Sequence, residues 1–396
     1  MYKMRVHCYW MLIVFLFLFS ACLEKAGEKH PGQSFSYDPA LVDYYHHQVA
    51  EYADSLLVLP ALSIANNPQH QVSENPGTYV SLACYWWPDP SSDNGLPYIR
   101  IDGMVNPETR SKASHLPVLV EMAQRVAYLS SAYTITGREE YAKKAIDQLS
   151  AWFADQETGM VPHLEHAQMV KGLNTGRSYG IIDGWWFVRV VESVDLLVHS
   201  PHWSYELETG LRSWFSDFLH WLLNSDFGRI EMKSKNNHGT WYDVQVITYS
   251  MFTGQTEFAK EYLEEISMKR LNRQFSPSGR QKFEMRRTRP LHYGIYNLAG
   301  QVKLADYGRS LGVEYGNNST IFSSGLERGV LYLIQAIDGT DITTISDPND
   351  RTDIDILYLE LLSSAIRLYG NEIIMNEKIR YLNEQEFINP PVLCRQ

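Results

Sequence analysis

Two polar clusters in the 396-residue chain join side chains that move protons to side chains that hold negative charge. One is Asn236-Asn237-His238, inside the stretch KSKNNHGTWYDVQ (Lys233–Gln245), where a basic, polar segment gives way to an apolar one. The other is FEMRRTRPLHYGIYNL (Phe283–Leu298): Arg286, Arg287 and Arg289 precede Pro290, and His292, Tyr293 and Tyr296 follow. An asparagine before a helix is a common N-cap, which accounts for one Asn but not for two and a histidine. Imidazole is the side chain best suited to proton transfer near neutral pH. Arginines on a helix start, with Pro290 suited to the first turn, read either as a solvated face or as a carboxylate-binding site with a phenol in reach.

Two further stretches carry polar or aromatic groups. Tyr79–Pro107 holds Tyr85-Trp86-Trp87-Pro88 with Arg100 and Asp102 nearby, flat faces that either stack on sugar rings or pin a long loop to the domain. His163–Asp183 offers His163, His166, Gln168, Lys171, Asn174 and Arg177 on a glycine-containing loop before a helix, the makings of an anion site. His163 and His166 have helix-face spacing, but no third ligand is placed for a metal, so no metal or other cofactor is expected.

These stretches interrupt a chain otherwise dominated by helical periodicity. The pattern predicts helices over Pro39–Leu57, Ser111–Thr136, Glu139–Phe153, Ile181–Val198, Tyr205–Asn224, Thr240–Thr253, Glu257–Gln274, Pro290–Leu311, Ser324–Ala336 and Ile354–Leu368. Several stop at a glycine, as at Gly137, Gly254 and Gly312. Strand patterns are scarce. Antiparallel helix pairs on short connections, without a repeating motif, predict an all-α fold, an (α/α) toroid: an incomplete barrel of helix hairpins in a single domain over residues 37–390. The interrupting segments Tyr79–Glu108, His163–Tyr179 and Phe275–Arg289 are then the loops that carry function.

A net charge of −11 argues against a nucleic-acid partner. The 13% aromatic content suits either a stacked core or sugar binding. Residues 1–21 read as a signal peptide: Lys3 and Arg5, then the apolar run Tyr9–Phe19, then Ser20-Ala21 before Cys22. Cys22 is expected to be lipidated, with residues 22–36 as a polar tether, which makes an N-terminal lipid the chain's only membrane contact. An exported protein, periplasmic, outer-membrane-anchored or secreted, follows. Cys84 and Cys394 are too few and too distant for a disulfide framework or a metal site. Nucleophile-elbow, P-loop, dinucleotide and zincin motifs are absent.

Taken together, YWWPDP…LPYIRIDGMVNPE, NTGRSYGIID, NNHGTWYD and RRTRPLHYGIYNL resemble, in order, the alginate lyase-like polysaccharide lyases of (α/α) toroid fold, over roughly residues 79–298. The resemblance implies β-elimination at a uronic acid of an acidic polysaccharide, alginate or a related polyuronate such as glucuronan. A base removes the proton on C5 and the C4–O bond breaks, with the carboxylate's charge offset so that the enolate-like intermediate is tolerable. It implies Tyr293 as catalytic acid/base, Asn237 and His238 as neutralisers and Arg287 in support, with Tyr296 and Arg286 as rivals. Gln168, Asn174, Arg177, Tyr85, Trp86 and His292 become substrate contacts, and His166 a second neutraliser or opposite-face base. Asn236 keeps the role of cap or loop brace. Some relatives add a C-terminal β-sandwich; a toroid alone implies a more open groove and cleavage inside chains. A glycoside hydrolase on a similar toroid, acting through a carboxylate pair, and a non-catalytic glycan-binding lipoprotein are the alternatives.

Overall fold

The periodic segments fold as helices that pair into antiparallel hairpins. The computed structural model describes residues 39–65, 75–316, 325–338, 340 and 351–384. The signal peptide, Cys22, the tether and Cys394 lie outside the described residues. The helices are α1 Pro39–Leu57, α2 Leu116–Thr136, α3 Glu139–Leu149, α4 Trp185–Val194, α5 Tyr205–Asn224, α6 Asp226–Glu231 and α7 Asn237–Phe252. They continue as α8 Thr256–Tyr262, α9 Met268–Gln274, α10 Pro290–Leu311, α11 Glu327–Ile337, α12 Arg351–Tyr369 and α13 Glu372–Glu384.

Helices α2, α4, α7, α10 and α12 stand side by side in that order as an inner wall. Outer helices back them: α3 packs on α2, α5 and α8 on α7, α11 on α10 and α13 on α12. This is the expected helical toroid in a single domain. Gly137, Gly254 and Gly312 follow α2, α7 and α10 at positive φ, where a left-handed residue ends a helix at least cost. The aromatic excess goes largely into the core. Phe153, Phe187, Trp214, Phe215 and Phe218 pack ring on ring between the α4 and α5 layers, with centroids 4.8–6.4 Å apart.

Helix boundaries depart from the sequence pattern at several ends. Helix α2 starts at Leu116 rather than Ser111, with Pro117 in its first turn. Helix α4 starts at Trp185 because Ser178–Gly184 winds as a 3₁₀ turn, in which Gly180 lies against the Ala167 backbone. Helix α7 begins at Asn237, three residues before the expected Thr240. Two helices fall outside the periodic pattern: α6, only six residues long, and α13, where charges at Glu372, Glu377, Lys378 and Arg380 interrupt the apolar stripe.

The interrupting loops carry the short strands: β1 Val80–Leu82, β2 Trp86–Trp87, β3 Ile99–Arg100 and β4 His166–Met169. Strand β1 runs parallel to β4 (Val80 opposite His166, Leu82 opposite Met169), and β2 antiparallel to β3 (Trp86 opposite Arg100). The first pair ties the two loops together on the helical wall; the second makes the 85–100 segment a hairpin standing over it.

Candidate active site

The inner helices run in one direction, and their first turns share one mouth. Leu116 of α2, Trp185 and Trp186 of α4, Asn237 and His238 of α7, His292 and Tyr293 of α10 and Ile354 of α12 all line a cavity of about 580 Å³. First-turn N–H groups have no partner within their own helix, and aligned peptide dipoles place partial positive charge there. Among the described residues, Arg100, Arg110, Arg177 and Arg287 add four cations to the wall, against one acid, Asp183. A chain with net charge −11 thus has a mouth of the opposite sign.

The asparagine–histidine segment is braced from behind. Arg270 on α9 makes a two-pronged ion pair with Asp243 on α7 (2.7 and 3.0 Å), and donates to the carbonyls of Met232 (2.8 Å) and Ser234. Gln274 Nε2 donates to the carbonyls of Lys235 and Asn236, at 3.2 and 3.1 Å. Gly239 leaves room for this brace, since a Cβ there would strike the Arg270 guanidinium and the Ser234 carbonyl. Asn236 occupies the N-cap position, but its side chain makes no cap hydrogen bond and the residue lines the cavity. The cap comes from 47 residues away: Glu284 accepts the Asn237 backbone N–H at 2.7 Å and its Nδ2 at 2.9 Å. His238 Nδ1 lies 2.6 Å from an oxygen of buried Glu231.

The arginine–tyrosine segment closes the other side. Tyr293, buried in the first turn of α10, donates to Tyr85 Oη at 2.6 Å. The Arg287 guanidinium lies over the Tyr293 ring, 3.8 Å from its centre, and pairs with Asp102 at 3.1 Å. Asp102 also accepts from Arg100 (2.6 Å) and Thr288 (3.0 Å), so one carboxylate ties the hairpin to the start of α10. Burial pushes the Tyr293 phenol above its ordinary value, while Arg287 and the Tyr85 hydroxyl pull it down. Burial works against the Arg287 charge too, but Tyr293 and Asp102 outweigh it and hold its pKa above the usual value.

The third group comes from the β4 loop. Gln168 sits at φ 49°, held by its N–H to Ser81 Oγ (2.7 Å) and by its amide to buried Asp183 (3.2 Å). Arg177 donates to the Gln168 carbonyl (2.9 Å) and side-chain oxygen (3.0 Å) and stacks near Trp86 and Tyr179. Burial lowers the Arg177 pKa. The floor is aromatic: Trp185, Trp241 and Tyr296 pack in sequence, with 5.3 Å between successive ring centres.

Of the residues singled out in the sequence, Tyr85, Trp86, Gln168, Arg177, Asn237, His238, Arg287, His292, Tyr293 and Tyr296 come together on this wall. Asn174, His166 and Arg286 stand off it. The Asn174 oxygen accepts the Val170 N–H within its own loop (3.1 Å), His166 Nδ1 faces the Thr175 carbonyl (3.0 Å), and Arg286 is exposed to solvent. Glu231, Glu284, Trp185 and Trp186 were not singled out. The acids sit among ordinary polar residues, and the tryptophans read as helix core.

A model of the alginate lyase family matches residues 63–343. The fold superimposes on the crystal structure of an alginate lyase from Bacteroides ovatus with a TM-score of 0.79 and 30% identity, over 87% of this chain and 91% of that one. Alginate lyase A1-III from Sphingomonas species A1 superimposes with a TM-score of 0.51 and 13% identity, over 88% and 93% of the two chains, a likeness of fold. No curated protein matches the chain.

Proposed function

The chain belongs to the alginate lyase family and is a polysaccharide lyase, and from that premise we propose that it cleaves a polyuronate such as alginate or glucuronan, with Tyr293 as acid/base. Asn237 and His238 offset the uronate carboxylate. The C5 proton passes to the Tyr293 oxygen as its phenolate, the electron pair left behind forms the C4=C5 double bond, and the C4–O bond breaks. The phenol then returns its proton to the departing oxygen. Arg287 over the ring and the Tyr85 hydroxyl are the groups that favour the phenolate this requires. Because Arg287 is already paired with Asp102, its part falls on Tyr293 rather than on the substrate.

The observation that carries this reading is the meeting of Tyr293, Arg287, Asn237 and His238 in one cavity ringed by helix N-termini. One tyrosine serving both steps suits uronates whose C5 hydrogen and C4 oxygen share a ring face. Trp86, Gln168 and Arg177 are placed to contact flanking sugars. A hydrolase needs two carboxyl groups across the scissile bond, whereas among the described residues this wall carries one acid, buried Asp183. We further propose that the chain is exported through residues 1–21 and tethered by a lipid on Cys22. The test is a panel of polyuronates scored by the ultraviolet absorbance of unsaturated uronate ends, with wild-type protein and Tyr293→Phe. Absorbance that rises with none of the polymers rejects the substrate class, and a Tyr293→Phe protein of wild-type rate rejects the acid/base.

A further inference from the structure

We propose that Glu231 is a positioning residue for His238, fixing which ring nitrogen faces the substrate. The functional half of this proposal rests on the role given to His238 above. Glu231 ends α6 and is 1% exposed. Its carboxylate meets His238 Nδ1 at 2.6 Å with one oxygen and the Ser234 hydroxyl at 3.1 Å with the other. A buried carboxylate is costly unless hydrogen-bonded, and an ionised one can only accept. The proton of that short contact therefore belongs to His238 Nδ1, which leaves Nε2 as the ring nitrogen free to work in the cavity.

The ring is also held against rotation. Tyr179 meets it edge to face, with 5.0 Å between centres, and Arg177 lies over Tyr179 at 5.1 Å. Glu231 itself is absent from the cavity wall, so its effect reaches the substrate only through the imidazole. When a uronate carboxylate binds at Nε2, the imidazole lies between two carboxylates, with Glu231 fixing its far side. Without Glu231 the Nδ1 proton has no fixed acceptor, and the ring can turn or hold its proton on either nitrogen. The loss falls on the step in which charge builds on the uronate, and so on kcat more than on KM.

The experiment pairs a spectroscopic readout with kinetics. Ring ¹⁵N–¹H correlation spectra of histidine-labelled protein, with the His238 signals identified by their loss in His238→Ala, should show the proton on Nδ1 in the wild type. Glu231→Ala should abolish that fixed state and lower kcat by about 10- to 100-fold, by analogy with outer partners that orient metal-bound imidazoles, with a smaller change in KM. Glu231→Gln retains an acceptor oxygen, so its spectrum should resemble the wild type and its kcat should lie between the other two. An unprotonated Nδ1 in the wild type, or a Glu231→Ala protein of wild-type kcat, overturns the proposal. So does a Glu231→Gln protein no better than Glu231→Ala. The spectra need no turnover: should every polyuronate fail as substrate, the reading of function falls while the proton on Nδ1 is still decided.

Discussion

Tyr293 Oη and Tyr85 Oη lie 2.6 Å apart, although 208 residues separate them along the chain. The bond joins the first turn of α10 to the hairpin above the cavity, so the hairpin helps to hold the proposed acid/base in place. Tyr85→Phe should lower kcat by about 3- to 10-fold, the effect of one neutral hydrogen bond. Tyr293→Phe should abolish turnover while leaving the melting temperature near wild type. Equal losses in the two proteins would mean that the roles are misassigned.

Asp102 holds Arg100, Arg287 and Thr288 at once. Asp102→Asn uncovers two guanidinium groups while loosening Arg287 over Tyr293. The expected result is a split: kcat falls by about tenfold, for lost positioning of a charged pair, while KM for a polyuronate also falls. Steady-state kinetics distinguish this from a simple loss of binding, in which KM rises.

The Asp243–Arg270 pair is the main buried charge contact behind the site, with the two side chains 0% and 8% exposed. Removing one partner strands the other. Asp243→Ala should cost about 3–5 kcal/mol in denaturant unfolding and disorder the turn at Met232–Ser234 that Arg270 holds. A loss well under 1 kcal/mol would show that water reaches the pair.

Burial is the largest influence on Glu284 and raises its carboxyl above the ordinary 4.5, against the pull of Asn237, Arg287 and His238. The folded state therefore holds this proton more tightly than the unfolded chain. Its contribution to stability is fully present below pH 4.5 and is lost as pH rises through the folded value. Glu284→Gln lacks this titration, so its melting temperature relative to wild type should climb with pH across that window. A constant difference would count against the buried, proton-holding Glu284.

Four arginines at the mouth make binding sensitive to salt. KM for a polyuronate should rise with ionic strength. Arg177, which pairs with Gln168 oxygens rather than with a carboxylate, contributes most directly. Arg177→Ala should raise KM and flatten the salt dependence, read from KM across a sodium chloride series.

Much of this architecture was legible in the sequence. Long helices such as Tyr205–Asn224 and Pro290–Leu311 have the expected bounds because their end signals are local: Ser204 caps the first, and Pro290 and Gly312 bracket the second. Asn237, His238 and Tyr293 stood out because polar groups crowd where an apolar helix begins. What stayed hidden is set by contacts between distant segments. Asn236 looked like the cap, but Glu284 supplies it. Glu231 lies on a helix too short to show a period. Arg286 and Arg287 are adjacent and alike in sequence; only the folded chain turns one to solvent and the other over Tyr293.

The shared direction of the inner helices also bears on how such an enzyme can diverge. In a ring of helix hairpins every inner helix returns to the same end, so the electropositive rim belongs to the backbone and no single substitution removes it. Attraction for a polyanion is then inherited with the topology, and it does not titrate as side chains do. Side chains on the rim are released to discriminate one uronate epimer from another. Replacements at Trp86 or Gln168 can redirect the enzyme to a new acidic polymer without first rebuilding its affinity for acid.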